Sequence, residues 1–439
     1  MQDLFSGVKT RKRQAPKKVV KPKAIEVKVP AGVDLKILHL ADLHITDDRR
    51  LQDQMVVLDF IKDNAAKTKP DLILIAGDLT NHQPRKALPS ERNILVKFLQ
   101  ELSAHAPVHV ARGNHDAPDD WTFIDELETG GHPISYHERA CMVQDIIGTQ
   151  HVDLYFIPHP DRAWLAAQAG GKLEATNEGI RAGMMSVLNG MRQRGRPDAL
   201  RVGVAHMNIR GARMDNDQPG IGYEVELSEQ DIDELGLHLA CLGHIHKPQV
   251  LADGRAIFAG SPTFGKFGCT GERGFYVHHF NGGKLKSEFI ETPCRRFVTL
   301  QMEVRQTDDG LQWFEAGEAV DWPDGDGTRA GGQPVQDCEV KVKLVYPDHV
   351  ATAIDQQDIE RRLLGMGAHS AKVEGKPLVV EKVRAPEIAD KKKLSDKLLV
   401  YVQEQGTELT PQVQAAVLER LALLEDKSQN DVLAWVREQ

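Results

Sequence analysis

Five short polar clusters in this sequence each follow directly after a predicted buried strand. Their side chains are aspartate, histidine and asparagine, a mixture of oxygen and imidazole donors that suits divalent transition metals such as Mn²⁺, Fe²⁺ or Zn²⁺. Because the strand ends of one sheet converge on one edge, residues that are far apart in the chain can share a site there. The clusters are Asp42-Leu43-His44, Gly77-Asp78-Leu79, Gly113-Asn114-His115-Asp116, His206 and Gly243-His244-Ile245-His246.

The spacing inside two of the clusters favours shared binding of one ion. Asp42 and His44 are two residues apart, as are His244 and His246, and on extended backbone such side chains point to the same side. The seven candidate ligands are too many for one tetrahedral ion but fit two ions that share a bridging carboxylate. Two ions about 3.5–4 Å apart stabilise the attacking and leaving oxygens of an in-line displacement at phosphorus. The sequence therefore predicts phosphoester hydrolysis.

The segments around these clusters alternate between buried strands and amphipathic helices. Helical apolar spacing covers residues 51–66 and 90–102, with Ser90 as the expected N-cap of the second helix. Strands that alternate with helices indicate an α/β sandwich around a mixed sheet, with functional loops after the strand ends. The predicted strands are residues 35–40, 71–76, 108–111, 152–157, 201–205 and 237–242.

A different pattern begins near residue 255, where helices give way to short strands. A Gly- and Asp-rich segment at 321–336 is interpreted as a linker or surface loop. Helical apolar spacing in the last 50 residues, at 413–424 and again at 432–436, predicts two amphipathic helices. A small α/β module lies between the segment at 321–336 and these helices. It consists of a strand at 339–345, a helix at 357–364 and returning strands at 370–379.

The charge of the chain is unevenly distributed. Its 439 residues include 55 Lys and Arg against 64 Asp and Glu, yet residues 1–30 hold nine basic and only two acidic side chains. We expect a disordered basic arm at 1–34, and such an arm on an acidic body suggests a polyanionic partner. The sequence has no apolar run long enough to cross a bilayer, so no membrane partner is expected. Five cysteines without a CxxC pair, and no secretory signal, favour a reducing, cytoplasmic setting.

The order of the clusters, D-x-H, G-D, G-N-H-D, H and G-H-x-H, resembles the calcineurin-like metallophosphoesterase superfamily over about residues 35–265. The resemblance implies an α/β/β/α sandwich with two divalent metal ions, for which we expect Mn²⁺. It also implies that His115 is catalytic and not a ligand, because it faces the scissile phosphate, stabilises its charge and helps the leaving oxygen take a proton. The implied ligands are Asp42, His44 and His246 for one ion, Asn114, His206 and His244 for the other, and Asp78 as the bridge.

Three neighbouring residues have other expected roles. Asp116 is interpreted as a structural residue that orients nearby backbone or the histidine loop. Asn81 stands where some relatives carry an acid or a histidine that supports the catalytic imidazole, and the adjacent His82 is a candidate substitute.

Later motifs resemble one branch of the superfamily, the SbcD-type nucleases. One resemblance is to a segment of that branch with the motifs G-S-P, F and E-x-G-F, which match residues 259–262 (A-G-S-P), Phe267 and residues 271–275 (G-E-R-G-F). A second is to its T-P-x-R-x-F stretch, which matches residues 292–297 (T-P-C-R-R-F). The resemblance implies a DNA exonuclease and endonuclease of repair, recombination or replication, which forms a homodimer and binds an SbcC-type coiled-coil ATPase. The implied domains are the arm at 1–34, a nuclease domain at 35–295, a smaller DNA-binding α/β capping domain at 296–385, and partner-binding C-terminal helices at 386–439.

Basic residues in the loops around the clusters are candidate DNA contacts, because they would neutralise phosphates without reading the base sequence. The start of the arm, Gln2 to Phe5, loosely resembles peptides that dock on sliding clamps, although a chance occurrence is the simpler interpretation. The candidate DNA contacts are Arg49, Arg50, Arg210, Arg213, Lys266 and Arg273.

Two other functions are compatible with the metal-binding pattern. A phosphodiesterase or phosphatase of the same superfamily would act on a small molecule in a closed pocket, and the appended C-terminal module argues against it. A non-catalytic scaffold would keep the fold and recruit an ATPase, and the complete ligand set with His115 argues against that loss of activity.

Overall fold

The structure is a computed structural model. The chain divides into two compact units, one made of residues 1–302, 315–343 and 356–374 and the other of 303–314, 344–355 and 375–439. The residues that the structure describes are 25–26, 29–30, 32–81, 86–129, 131–160, 177–215, 218, 225–269, 271–308, 310–320, 329–330, 333–378, 391, 393–404 and 410–425.

The helices and strands are numbered in chain order. The α-helices are α1 (Leu51–Thr68), α2 (Pro89–Ser103), α3 (Asn177–Arg194), α4 (Glu229–Leu235), α5 (Gln356–Gly365), α6 (Leu394–Glu404) and α7 (Pro411–Glu425). The strands are β1 (Ile25–Glu26), β2 (Asp34–Leu40), β3 (Leu72–Ala76), β4 (Val108–Ala111), β5 (Ile134–His137), β6 (Cys141–Ile147), β7 (Gln150–Ile157), β8 (Leu200–His206), β9 (Asn208–Ile209), β10 (Glu226–Leu227), β11 (Leu239–Gly243), β12 (Gln249–Leu251), β13 (Ala256–Phe258), β14 (Gly274–Asn281), β15 (Lys284–Glu291), β16 (Phe297–Thr307), β17 (Gly310–Glu315), β18 (Glu318–Val320), β19 (Arg329–Ala330), β20 (Gln333–Pro334), β21 (Glu339–Pro347) and β22 (Ser370–Leu378).

Two mixed sheets form the body of the first unit. The first sheet has the order β1-β15-β14-β2-β3-β4-β5, in which β2 to β5 run parallel and β14, β15 and β1 are antiparallel additions. The second sheet has the order β12-β13-β11-β8-β7-β6, with β7, β8, β11 and β13 parallel. The central strands are buried along their whole length, as in Leu72–Ala76, because both faces of a parallel sheet are covered.

Apolar side chains between and outside the sheets define four layers. Ile37 and Leu74 of the first sheet pack with Val204 of the second in one inter-sheet core. Helices α1 and α2 cover the outer face of the first sheet, and α3 and α4 cover the outer face of the second. The α/β/β/α sandwich predicted from the sequence is therefore confirmed.

The loops that hold the polar clusters all follow carboxyl ends of parallel strands. The first sheet supplies the loops after β2, β3 and β4, and the second supplies those after β8 and β11. Each strand ends within three residues of a candidate ligand, so the two sheets bring the clusters to one edge of the sandwich.

The later part of the chain contains the predicted small α/β elements. A five-stranded sheet has the order β18-β17-β16-β21-β22, and α5 precedes β22 in the chain. Helix α7 confirms the helical spacing at 413–424, whereas the pattern at 432–436 lies outside the described residues. Among the helices that the structure describes, none is both long and apolar enough to span a membrane.

Two local predictions differ from the structure, and several elements were not predicted. Ser90 is not an N-cap: α2 begins at Pro89, and Glu91 instead accepts the main-chain N–H groups of Leu88 and Asp47 at 2.9 and 2.8 Å. Strand β1 pairs with β15, so the predicted disordered arm at 1–34 contains an ordered segment. Helix α3 and the β6–β7 hairpin were not predicted, and β19 and β20 pair within the predicted loop.

Candidate metal centre

The backbone at four candidate ligands is left-handed. Asp42, His44, Asp78 and His244 have φ angles of 51°, 46°, 55° and 87°, a region that residues other than glycine seldom occupy. The extended backbone that we predicted for Asp42-x-His44 and His244-x-His246 is therefore wrong. Sharp turns at the strand ends direct these side chains inward, and such strain is common at functional sites.

Three glycines beside the ligands permit close approach of the loops. A Cβ at Gly77 would overlap the His206 imidazole, and one at Gly113 would overlap the Asp78 carboxylate. A Cβ at Gly243 would overlap the carbonyl of Ala76. Close packing therefore requires glycine as the first residue of each of these three clusters.

The first group of donors contains Asp42, His44 and His246. The Nε2 atoms of His44 and His246 lie 2.9 Å apart, and Nε2 of His44 lies 4.0 Å from Oδ1 of Asp42. Asp42 is fully buried, and its two oxygens accept the main-chain N–H of His244 at 3.0 and 3.1 Å. Three donor side chains from the loops after β2 and β11 therefore face one point.

The second group contains Asn114, His206 and His244. Oδ1 of Asn114 lies 2.8 Å from Nε2 of His206 and 2.9 Å from Nδ1 of His244. Because a carbonyl can only accept, Nδ1–H of His206 donates to the Ala76 carbonyl at 2.7 Å, which leaves Nε2 facing the site.

Asp78 lies between the two groups. Its Oδ2 atom is 3.5 Å from Nε2 of His44 and 3.3 Å from Nε2 of His206. Its other oxygen, Oδ1, accepts the main-chain N–H of His115 at 2.7 Å. The structure thus brings all seven predicted ligands together, with the carboxylate expected to bridge in the middle.

The electrostatics of this cluster fit bound cations. The Nε2 atom of His206 lies close to both the Asn114 oxygen and an Asp78 oxygen, an arrangement that is stabilised by positive charge, either a proton or a metal ion, at this nitrogen. Burial disfavours the charged imidazole, yet the carboxylates of Asp78 and Asp42 outweigh burial and raise the pKa of His206 to about 9. Burial raises the pKa of Asp42 to about 8. Both shifts favour the uptake of a proton at these residues, and divalent metal ions would supply positive charge at the same place.

His115 lies beside the first group. Its ring meets the ring of His44 edge-on, with centroids 4.9 Å apart, and its Nδ1 atom has no hydrogen-bond partner among the described residues. Asn81 lines the same cavity as His115, whereas His82 lies outside the described residues.

Asp116 is a structural residue, as predicted. Its buried carboxylate accepts main-chain N–H groups from Asp78, Leu79, Thr80 and Gly113 at 2.9 to 3.4 Å. Asp116 therefore fixes the second and third clusters against each other.

The candidate DNA contacts separate into three kinds. Arg50 and Lys266 line a cavity of about 280 Å³ together with His44, His115 and His246. Arg49, Arg210 and Arg213 are exposed, with Arg49 3.5 Å from Glu339 and Arg210 3.9 Å from Glu226.

The prediction for Arg273 is wrong. Its side chain is fully buried, donates to Asp215 and to the His246 carbonyl, and lies over the Phe264 ring. A guanidinium enclosed in this way cannot neutralise a DNA phosphate.

Sequence reasoning missed two residues that adjoin the ligands. The His159 ring, just after β7, lies 5.8 Å from the His244 ring and 6.2 Å from the His206 ring. Asp215 lies 3.6 Å from Nδ1 of His246. The position of His159 after a buried strand was an available signal, whereas Asp215 has no motif around it.

Comparison with known proteins bears on the segment that holds the site. Residues 35–248, slightly less than half of the chain, match the family model of the calcineurin-like phosphoesterases, so this segment is similar to that family.

Several solved structures are similar to the chain at low identity. GAP50 of Plasmodium, the anchor in the inner membrane complex, is 12% identical over 59% of this chain and 84% of its own, with a TM-score of 0.41. A dimetal phosphatase from Danio rerio is 10% identical over 59% and 97%, with a TM-score of 0.36. The E. coli phosphoesterase YfcE is 17% identical over 59% and 99%, with a TM-score of 0.27. None of these similarities bears on the substrate.

Proposed function

We propose that the protein is a DNA nuclease of the SbcD type, which hydrolyses phosphodiester bonds with two divalent metal ions, Mn²⁺ in our expectation. The observation that carries the proposal is the position of Asp78, with one oxygen 3.5 Å from His44 Nε2 and 3.3 Å from His206 Nε2. A carboxylate shared by two donor groups suits a pair of ions about 3.5–4 Å apart.

The residues of each group divide the work of holding the ions. Asp42, His44 and His246 would hold one ion, and Asn114, His206 and His244 the other. When bound, the two ions stabilise charge on the attacking and leaving oxygens and make hydroxide available near neutral pH. The Ala76 carbonyl fixes the tautomer of His206, and Asp116 holds the loop that bears Asn114.

His115 supplies the acid function in the proposed reaction. Its main-chain N–H is bound to Asp78, so its place is fixed relative to the bridging carboxylate. From there the imidazole faces the scissile phosphate, stabilises its charge and donates a proton to the leaving oxygen.

The substrate proposal rests on charge and on motif resemblance. Arg50 and Lys266 line the cavity that His115 also lines, and the Arg50 guanidinium donates to the Asp48 carboxylate and to the Gly265 carbonyl, both at 2.9 Å. Cations in this position suit a phosphate ester, and their phosphate contacts would not depend on base sequence. The choice of DNA over a small ester comes from the resemblance of residues 259–275 and 292–297 to the SbcD-type segments.

The partner proposals concern other parts of the chain. We propose a homodimer and an SbcC-type ATPase that docks on the C-terminal helices, where Tyr401 of α6 and Val413 of α7 are 52% and 48% exposed. These side chains are compatible with the proposed docking surface, which would need a contiguous apolar patch. The proposed clamp-binding segment, Gln2 to Phe5, lies outside the described residues.

One assay separates the nuclease from the small-ester alternative. Purified protein with Mn²⁺ is incubated with linear duplex DNA, single-stranded DNA and bis-p-nitrophenyl phosphate, next to a His115→Ala variant. We expect DNA cleavage that the variant loses while it retains metal. Turnover of the small ester alone would refute the nuclease proposal and favour a small-molecule phosphodiesterase.

The docking proposal has its own experiment. A chain that ends near Pro386 should fail to co-purify with a coiled-coil ATPase of the SbcC type, whereas the full chain should retain it. Retention by the shortened chain would contradict docking on the C-terminal helices.

A further inference from the structure

The imidazole of His246 has a carboxylate on the side away from the site. Its Nε2 atom faces Nε2 of His44 at 2.9 Å, and its Nδ1 atom lies 3.6 Å from Oδ2 of Asp215. Asp215 comes from the loop after β9, 31 positions before His246 in the chain. Negative charge beside Nδ1 favours the tautomer that keeps its proton there and leaves the Nε2 lone pair toward the metal centre.

A buried arginine holds both Asp215 and the main chain of His246. Nη2 of Arg273 donates to Oδ1 of Asp215 at 3.1 Å, and Nη1 donates to the carbonyl oxygen of His246. The guanidinium lies 4.7 Å from the centroid of the Phe264 ring. Burial of a charge is costly unless it is paired, so the Asp215 carboxylate stabilises Arg273 where it stands.

Two further contacts hold the same two groups. The Cys269 thiol donates to Oδ2 of Asp215 at 3.4 Å. The His246 carbonyl also accepts the main-chain N–H of Ser261 at 3.1 Å, in a turn where a Cβ at Gly260 would crowd that carbonyl. Arg273 therefore contacts both the main-chain carbonyl of His246 and the carboxylate that lies beside the His246 side chain.

We propose that Asp215 and Arg273 are positioning residues for His246 and set the affinity of the first of the two metal ions. Asp215 orients the imidazole and raises its basicity, and Arg273 fixes Asp215 relative to the His246 backbone. The inference rests on the proposed metal centre but not on DNA as the substrate. Substitution of such supporting groups lowers metal affinity by about 10–100-fold.

The test measures Mn²⁺ binding by the full-length, metal-free protein with calorimetry and electron paramagnetic resonance. Asp215→Asn, a substitution of almost equal size, should lose about 10–100-fold in affinity at one of two sites. Its spectrum at limiting Mn²⁺ should show isolated ions in place of coupled pairs, and saturating Mn²⁺ should restore most hydrolysis. Arg273→Lys keeps the charge but not the fork that reaches both partners, and should shift the same site.

The matched control is Asp233→Asn, which breaks an exposed ion pair in which Nη2 of Arg255 lies 2.6 Å from Asp233. This variant should bind both ions like the wild type. If Asp215→Asn fails to fold, as judged by circular dichroism, Arg273→Lys decides the question with the same expected loss. Wild-type affinity at both sites in a folded variant would overturn the inference, and so would an equal loss at both.

The outcome separates this inference from the proposed function. If the wild type cleaves only a small ester, the nuclease proposal fails, while a selective loss of Mn²⁺ in Asp215→Asn still supports the positioning role. If DNA is cleaved and Asp215→Asn binds Mn²⁺ normally, only the positioning role is refuted.

Discussion

The Nε2 atoms of His44 and His246 lie 2.9 Å apart although 202 positions separate the residues in the chain. Asp215 beside Nδ1 of His246 favours a bare Nε2 on that ring. His44 approaches Asp78 with the same atom, at 3.5 Å. Nitrogen lone pairs and a carboxylate at these distances are stabilised by a cation among them.

Metal removal is therefore expected to destabilise the domain as well as abolish hydrolysis. Chelation should lower the thermal unfolding midpoint, and added Mn²⁺ should restore it, because an ion that binds only the folded state stabilises it by mass action. Asp78→Asn removes the shared carboxylate and should reduce turnover by about 100-fold or more. The measurements are differential scanning calorimetry and the bis-p-nitrophenyl phosphate assay. An unchanged midpoint after chelation would contradict this prediction.

Substitution of His115 should separate catalysis from metal binding. His115→Asn removes the side chain that we propose as the general acid, so kcat should fall by about 10²–10⁴-fold. The main-chain contact of residue 115 with Asp78 remains, and the Mn²⁺ stoichiometry should stay that of the wild type. Loss of metal together with activity would instead identify His115 as a ligand.

The two basic residues that line the cavity should differ from those that do not line it. Arg50→Gln and Lys266→Gln should weaken DNA binding and reduce the salt dependence of the affinity, because each removes one counterion-releasing contact. Arg210→Gln is the comparison and should have the smaller effect, because Arg210 lies 3.9 Å from Glu226 and is not among the residues that line this cavity. The affinity is measured by fluorescence anisotropy over a salt series, and equal effects at the three positions would refute the distinction.

Alanine substitution should lower the free energy of unfolding at a glycine beside the site and raise it at a glycine within a helix. Gly113→Ala places a Cβ against Asp78 and should lower the free energy of unfolding by about 1–3 kcal/mol and impair metal binding. Gly190→Ala, within α3 and with open space around its Cβ, should raise stability by about 1 kcal/mol. Urea unfolding of the metal-free proteins measures both. Tolerance of alanine at Gly113 would disprove the close approach of these loops.

Acid should destabilise the fold through a buried pair of histidines, His39 and His278, which are not among the predicted metal ligands. Nδ1 of His39 lies 3.2 Å from Nε2 of His278, and burial lowers the pKa of His39 to about 3 and that of His278 well below its usual value. Below about pH 6.5 these two imidazoles take up protons in the unfolded chain but remain neutral in the folded chain. The free energy of unfolding therefore falls as the pH falls.

A substitution can test how much of the pH dependence of the unfolding free energy comes from this histidine pair. Each such imidazole contributes at most about 1.4 kcal/mol per pH unit below pH 6.5. His278→Asn should therefore make the stability of the metal-free protein less dependent on pH, as measured by urea unfolding between about pH 5 and about pH 8. An identical pH dependence in variant and wild type would show that the pair is not responsible.

Local patterns predicted the elements whose apolar spacing is regular. Strands β2, β3 and β4 are short buried runs, and α1 and α2 have clear helical spacing, so hydrophobic period alone located them. Helix α3 was missed because it contains Gly179, Gly183 and Gly190, which lower helix propensity. Its buried face of Ile180, Met184, Leu188 and Met191 packs on the second sheet and outweighs that propensity.

The sequence by itself determined which side chains form the candidate metal centre, because ligand chemistry and the position of each cluster after a strand are local properties. Only the tertiary structure decided how those side chains are aimed and supported. The left-handed backbone at Asp42, the placement of Asp215 behind His246 and the burial of Arg273 all depend on loops from two sheets that meet at one edge. Contacts between such loops leave no periodic trace in the chain, which is why Arg273 looked like a DNA contact although its guanidinium is buried against Asp215 and the His246 carbonyl.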